Sequence, residues 1–259
     1  MIKSKLLPVA FVLALSVPVM GMPPEVPAVP TVVPEGKGSV DDAGKFAPPP
    51  SAPAEKAASL PPVDRAAAEG DLKKALKIEE PAPGVFRIGL VSFSKADRTV
   101  KIPAKVNMRE GVVEYLLTTE TGKAHETVLT TKAAPQDFHT ACLLLGVAAD
   151  APVEITATWE TNGPAAVVPV ASLIRLKDQT ELPGAPWPYA GSLFTPQGKF
   201  AAQEEGSFVS LISDSHALVT NPGPSRTRDD AHVANTDKLP RAGLPITLVF
   251  KFQPIPSSP

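Results

Sequence analysis

The run Thr118–Gly146, TTETGKAHETVLTTKAAPQDFHTACLLLG, concentrates side chains that could do chemistry: His125, Glu126, His139 and the chain's single cysteine, Cys142. His125-Glu126 supplies the first two letters of H-E-x-x-H, in which two imidazoles one helical turn apart hold zinc and the glutamate acts as general base. The fifth position is Leu129, however, and Thr127-Val128-Leu129-Thr130-Thr131 is rich in β-branched residues and predicts a strand. In a regular strand His125 and Glu126 point to opposite faces, so both serve one metal only if a turn or bulge at Gly122–Ala124 redirects one of them. The favoured reading is structural, with Glu126 holding a neighbouring loop amide and His125 a hydrogen-bonded edge residue. The alternative places His125, Glu126 and His139 in one polar crevice, where two imidazoles and a carboxylate suit a zinc-like divalent metal or a general acid–base pair.

Other chemistries are less well supported. Asp229, Asp230 and His232, in the segment RTRDDAH, could complete a metal site but read better as solvated loop charges compensated by Arg226 and Arg228. Gly122-Lys123 is not a phosphate loop, because the position of its first glycine holds Thr118 and alanine follows the lysine. Ser192 and Ser207 lack the G-x-S-x-G elbow of serine hydrolases. Trp159, Trp187 and Tyr189 could form a stacking platform for sugars, although core packing is the simpler expectation.

These residues need elements to hold them. Val153–Trp159 alternates, with Val153, Ile155, Ala157 and Trp159 on one face, and Ile246–Phe252 repeats the pattern. Further strands are expected at Val85–Val91, Thr99–Ile102, Val112–Thr118, Glu126–Thr131, Val167–Leu173 and Ser207–Ile212, separated by Gly, Pro, Asn and Asp clusters. One helix interrupts them. Pro135 suits its first position, Asp137 its first turn and Gly146 a left-handed cap, while Phe138, Ala141, Cys142 and Leu145 make an inward stripe. Cys142 is therefore expected as a buried small hydrophobe, and His139 falls at the edge of the stripe. The fold class is α+β, mainly antiparallel β with one principal internal helix, over residues 80–256. No fixed-period repeat is present, which disfavours a solenoid or propeller.

The ordered set G-K-x-H-E at Gly122–Glu126, a proline-started helix carrying His139 into Ala141 and Leu143-Leu144-Leu145-Gly146, a strand ending at Trp159, Gly191-Ser192-Leu193-Phe194, and Glu205-Gly206 resembles the YdjY-like domain, over roughly Pro83 to Pro254. The resemblance implies an exported bacterial domain with no defined activity. Some relatives are described as ferredoxin-like iron–sulfur proteins, but a cubane cluster needs about four thiolates. With only Cys142 available, no such cluster is expected here.

The N-terminal part supplies an address. Lys3 and Lys5 precede an apolar run from Leu6 to Leu15, with Val19 and Gly21 beyond, so residues 1–21 read as a secretory signal peptide rather than a retained anchor. No cysteine lies near the cleavage point to take a lipid. Export leaves 23 basic against 27 acidic residues, from the 25 and 27 of the full chain after Lys3 and Lys5 are removed. That balance offers no basic field for nucleic acid. Residues 22–63 contain eleven prolines in 42 positions and no apolar period, predicting a disordered, polyproline-rich tether. Residues 64–79 read as a short docking helix, with Leu72 and Leu76 one turn apart. The expected protein is periplasmic or extracellular, with no transmembrane segment in its mature chain. Its expected role is a non-catalytic binding or structural module for a cell-envelope protein or polymer. The alternative is a metal-dependent envelope enzyme built on His125, Glu126 and His139.

Overall fold

The computed structural model describes residues 65–184 and 186–253; the expected signal peptide and proline-rich tether lie outside the described residues. Helix α1 (Arg65–Ala75) leads into strands β1 (Glu79–Ala82), β2 (Val85–Ile88) and β3 (Val91–Ser94), then β4 (Thr99–Val106), β5 (Tyr115–Thr119) and β6 (Thr127–Thr131). Helix α2 (Pro135–Leu144) is followed by β7 (Ala151–Trp159), β8 (Ala166–Pro169), β9 (Ile174–Leu176) and β10 (Trp187–Tyr189). Helix α3 (Ala201–Glu205), β11 (Ser207–Ser210), β12 (Val219–Thr220), β13 (His232–Ala234) and β14 (Pro245–Phe252) complete the order. No helix among the described residues is long and apolar enough to cross a membrane.

The expected mainly antiparallel sheet is a closed barrel. Its eight strands run β4-β14-β7-β10-β12-β11-β5-β6, and β6 returns to β4 through Lys105↔Thr130 and Val106↔Leu129. The first half of β4 pairs instead with β3, so the β1–β3 meander leaves the barrel where β4 changes partner. Two pairs, β5–β6 and β11–β12, are parallel. Closure removes the edges that an open sheet would expose to other chains.

The alternating patterns explain the longest strands. Ile246, Leu248, Phe250 and Phe252 of β14 are buried, and the register sets Leu248 opposite Ile102 and Ala157, and Phe250 opposite Val100 and Ile155. Each strand thus delivers its apolar set to one interior. Two expected strands break in the middle. The Val85–Val91 run turns at Gly89-Leu90, and the Val167–Leu173 run ends in a short 3-10 turn from Val170, because a continuous apolar run does not mark where the chain bends.

Helix α2 packs an aromatic plug against the barrel. Phe138 is fully buried, with ring centroids 4.8 Å from Phe250, 6.0 Å from Phe208 and 6.3 Å from Tyr189, residues from three separate strands. Ala141, Cys142 and Leu145 continue the buried stripe. The helix closes with Val147 N–H donating to Cys142 O (3.0 Å) and Gly146 N–H to Leu143 O (3.0 Å), which satisfies two terminal carbonyls. Burial pushes the Cys142 thiol up, away from thiolate chemistry. Leu143, on the opposite side, is 59% exposed. Phe138→Ala is expected to lower unfolding stability by about 3–5 kcal/mol, and Leu143→Ala by less than about 0.5 kcal/mol. Urea unfolding of the two variants checks the contrast.

Candidate functional site

Parallel pairing fixes the path of the chain between β5 and β6. Tyr115 opens β5 and pairs with Thr127, which opens β6, so the connection 120–126 must travel back along the whole length of β5. It is anchored at both ends. Glu120 N–H donates to Thr131 O (3.0 Å) and its carboxylate pairs with Lys105 (2.8 Å), while Asn107 Nδ2 donates to Ala124 O (2.7 Å) and Thr127 O (2.8 Å). This return lays Lys123 over Tyr115, with Nζ 4.7 Å from the ring centroid.

The same connection touches a distant segment at two glycines. A Cβ on Gly122 would lie 2.8 Å from the carbonyl oxygen of Glu205, and one on Gly206 would collide with Thr119 Oγ1. Gly206 also has φ +72°, a left-handed conformation that disfavours any other residue. Thr119 N–H donates to Gly206 O (2.8 Å) and seals the contact. Glu205 is thereby brought to Lys123.

A polar cluster results. Lys123 Nζ donates to Tyr115 Oη (2.6 Å) and lies 3.2 Å from Glu205 Oε2 and 3.9 Å from Asp214 Oδ2. Tyr115 O–H donates to Asp214 Oδ2 (2.9 Å), and His216 backbone N–H donates to Asp214 Oδ1 (2.8 Å). His216 Nδ1 hydrogen-bonds to Glu205 Oε1. Burial pushes the Tyr115 phenol up to about 12, so it remains a donor. Burial opposes the charge on Lys123, but Tyr115, Glu205 and Asp214 outweigh it and raise its pKa. Burial likewise raises Glu205, but hydrogen bonds from His216 and Lys123 prevail and hold its carboxyl below the usual range. Ligand atoms of Glu205, Asp214 and His216 all lie within 4.8 Å of one another, and this is the one such group of metal-ligating side chains among the described residues.

The sequence-selected set is arranged differently. His125 and Glu126 occupy a 3-10 turn, Ala124–Glu126, rather than β6, and the turn brings His125 Nε2 to 3.6 Å from Glu126 Oε2 on an open surface. His139 is not gathered with them into a three-ligand group. It shares a 2.6 Å hydrogen bond with Tyr189 Oη and packs 4.9 Å from the Phe200 ring, and burial lowers its pKa, so it is neutral near pH 7. Trp187 and Tyr189 are buried in the core, and Trp159 packs against it, leaving no aromatic platform.

The RTRDDAH segment also divides. Asp230 is a surface charge paired with Lys177 (3.0 Å) and Arg228 (3.4 Å), but His232 is not in the loop: it opens β13 and is fully buried. Its Nε2 lies 2.9 Å from Ser225 Oγ and 3.2 Å from Asn221 Nδ2. This Ser–His pair was not legible in the sequence, since Ser225 sits within the 3-10 turn Pro224–Thr227, seven positions before the residue that opens β13. It is a poor nucleophile–base pair. Burial, reinforced by Arg228, lowers His232 to about 4, and buried Nδ1 has no hydrogen-bond partner to stabilise an imidazolium.

Two predictions follow from these contacts. Gly206→Ala combines a left-handed backbone with a steric clash and should cost at least about 2 kcal/mol in urea unfolding. For His232, the folded pKa is depressed from 6.5 to about 4, so above pH 6.5 the ring is neutral whether folded or not. As pH falls from 6.5 to 4 the unfolded chain takes up a proton that the folded chain refuses, removing up to roughly 3 kcal/mol. His232→Gln should flatten that part of a stability–pH profile.

Comparison with known proteins adds one assignment. No curated protein and no solved structure matches the chain. A sequence profile of the YdjY domain matches residues 91–251, which takes in β3 to β14, the back-crossing connection and the polar cluster. With more than half of its length matched, the chain belongs to the YdjY domain family.

Proposed function

We propose that this protein is an exported, non-catalytic recognition module of the cell envelope, binding a protein or polymer through the tip of the hairpin that precedes α3. Phe194 carries this reading: among the described residues it is the most exposed large apolar one, at 65%, yet its backbone is fixed. The hairpin is closed by Thr195 N–H to Lys199 O (2.8 Å) and Ala201 N–H to Leu193 O (2.9 Å). Ser192 Oγ anchors its base by donating to His216 O (2.8 Å) and accepting from Ala202 N–H (3.1 Å). The Phe194 ring stands 5.3 Å from Phe200, with Leu193 beside it at 38% exposure. A surface aromatic held rigidly loses little entropy on binding, and such side chains dominate interface energetics. Val167, nearly as exposed at 63% and also held in a ladder with β7, is a short aliphatic residue rather than an aromatic anchor.

A catalytic reading has less support. The Lys123 cluster is internally satisfied, the Ser225–His232 pair is a weak base, and His139 is occupied by Tyr189. A signal peptide and a proline-rich spacer suit display of a module at the envelope, and export accords with the lone cysteine being unreactive. The test is co-sedimentation of the full chain with washed envelope fragments. The double variant Leu193→Ser, Phe194→Ser should melt at an unchanged temperature and bind at least about tenfold more weakly. Equal binding by both proteins, or none by either, would contradict the proposal.

A further inference from the structure

We infer that Glu205, Asp214 and His216 form a site for one divalent first-row transition cation, with Lys123 as a built-in competitor for its two carboxylates. The inference goes beyond the recognition reading and does not depend on it. Its geometry is that of an imidazole with two carboxylates, not of an acidic patch. Three evenly spaced ligands at about 2.1 Å from one ion lie at most about 3.6 Å apart. The three donor atoms, within 4.8 Å of one another, therefore need to contract by no more than about 1.2 Å, the reach of a side-chain torsion adjustment.

The side chains can make that adjustment. His216 and Glu205 are 38% and 32% exposed, and Asp214 is 11% exposed, so an ion can enter from solvent and keep water in its remaining positions. An imidazole donor favours zinc, nickel or cobalt over calcium and magnesium, which take oxygen ligands.

A second observation identifies the locus as one for a cation. The Lys123 ammonium already sits there, 3.2 Å from Glu205 Oε2 and 3.9 Å from Asp214 Oδ2. Counting Lys123 against them leaves one formal negative charge, so a divalent ion and the ammonium oppose each other at the same oxygens. Metal entry therefore displaces Lys123 from Glu205 and Asp214. His216 must also release its hydrogen bond to Glu205 and present Nδ1 to the metal as a neutral ligand. Lys123 is the clamp of the 120–126 connection, while Ser192 holds the His216 carbonyl. Occupancy thus loosens one segment and fixes the base of another.

Titration of the full chain with Co2+, followed by its visible absorption and then by Zn2+ competition, tests the site. One equivalent should bind. Lys123→Met removes the competitor and should tighten binding at least tenfold. Asp214→Asn should weaken it at least tenfold, and His216→Ala should both weaken it and change the cobalt spectrum. A His125→Ala, Glu126→Gln control should leave the affinity unchanged. Unaltered affinity in Lys123→Met, provided its circular dichroism matches the parent, would overturn the competition. Equal binding in His216→Ala and the parent would overturn the site itself. Sensitivity to the His125 and Glu126 control alone would likewise overturn it. None of these outcomes alters the expected behaviour of the Phe194 variant, so failure here and failure of the recognition reading are separable.

Discussion

The parallel pairing of β5 with β6 is the constraint on which the rest of the polar architecture depends. Parallel neighbours normally need a long crossover, usually a helix. Here residues 120–126 make the return, so the backbone must lie close against β5 and must be held there by something other than its own secondary structure. Asn107 staples one end, the Lys105–Glu120 pair and Thr131 hold the other, and Lys123 pins the middle to Tyr115. The glycines at 122 and 206 follow from the same requirement, because the returning chain passes within van der Waals contact of the segment that enters β11.

The cluster around Lys123 contributes more to specifying this path than to stability. Ion pairs between partly exposed groups contribute about 0–1 kcal/mol each, so none of its charge pairs is a large term alone. Buried Tyr115 changes the balance, since a phenol without a partner in the core would cost about 1–3 kcal/mol. By giving that hydroxyl both a donor in Lys123 and an acceptor in Asp214, the cluster makes one arrangement of the 120–126, 205–206 and 214–216 segments better than its alternatives. The main stabilisation comes from elsewhere. It lies in the closed barrel and in Phe138, which joins α2 to aromatic side chains of β10, β11 and β14.

Much of the scaffold was legible because its signals are local. The alternation in β7 and β14, the Pro135 start and Gly146 end of α2, and the burial of Cys142 all follow from period, caps and polarity within a few residues. Barrel closure was not, because the pairing of Lys105 with Thr130 depends on how β4 divides its edge between β3 and β6. Short strands such as β10, β12 and β13 carry too few residues for any pattern to emerge. The family motifs Gly122-Lys123 and Glu205-Gly206 are visible as words, but nothing local to either shows that Lys123 and Glu205 meet. Lys123, Glu205, Asp214 and His216 come from three separate segments, and their convergence is a consequence of the parallel crossover. The charged neighbours of His232 suggest a loop, whereas the strand begins at that residue.

In the proposed recognition mode the 191–201 hairpin presents Phe194 as a preorganised contact. A photo-crosslinking amino acid at position 194, with the same residue at exposed Val167 as control, tests it most directly on intact envelope preparations. A discrete adduct is expected from position 194 that is absent from position 167 and is competed away by unlabelled parent protein. No adduct from position 194, or the same set of adducts from both positions, would contradict it.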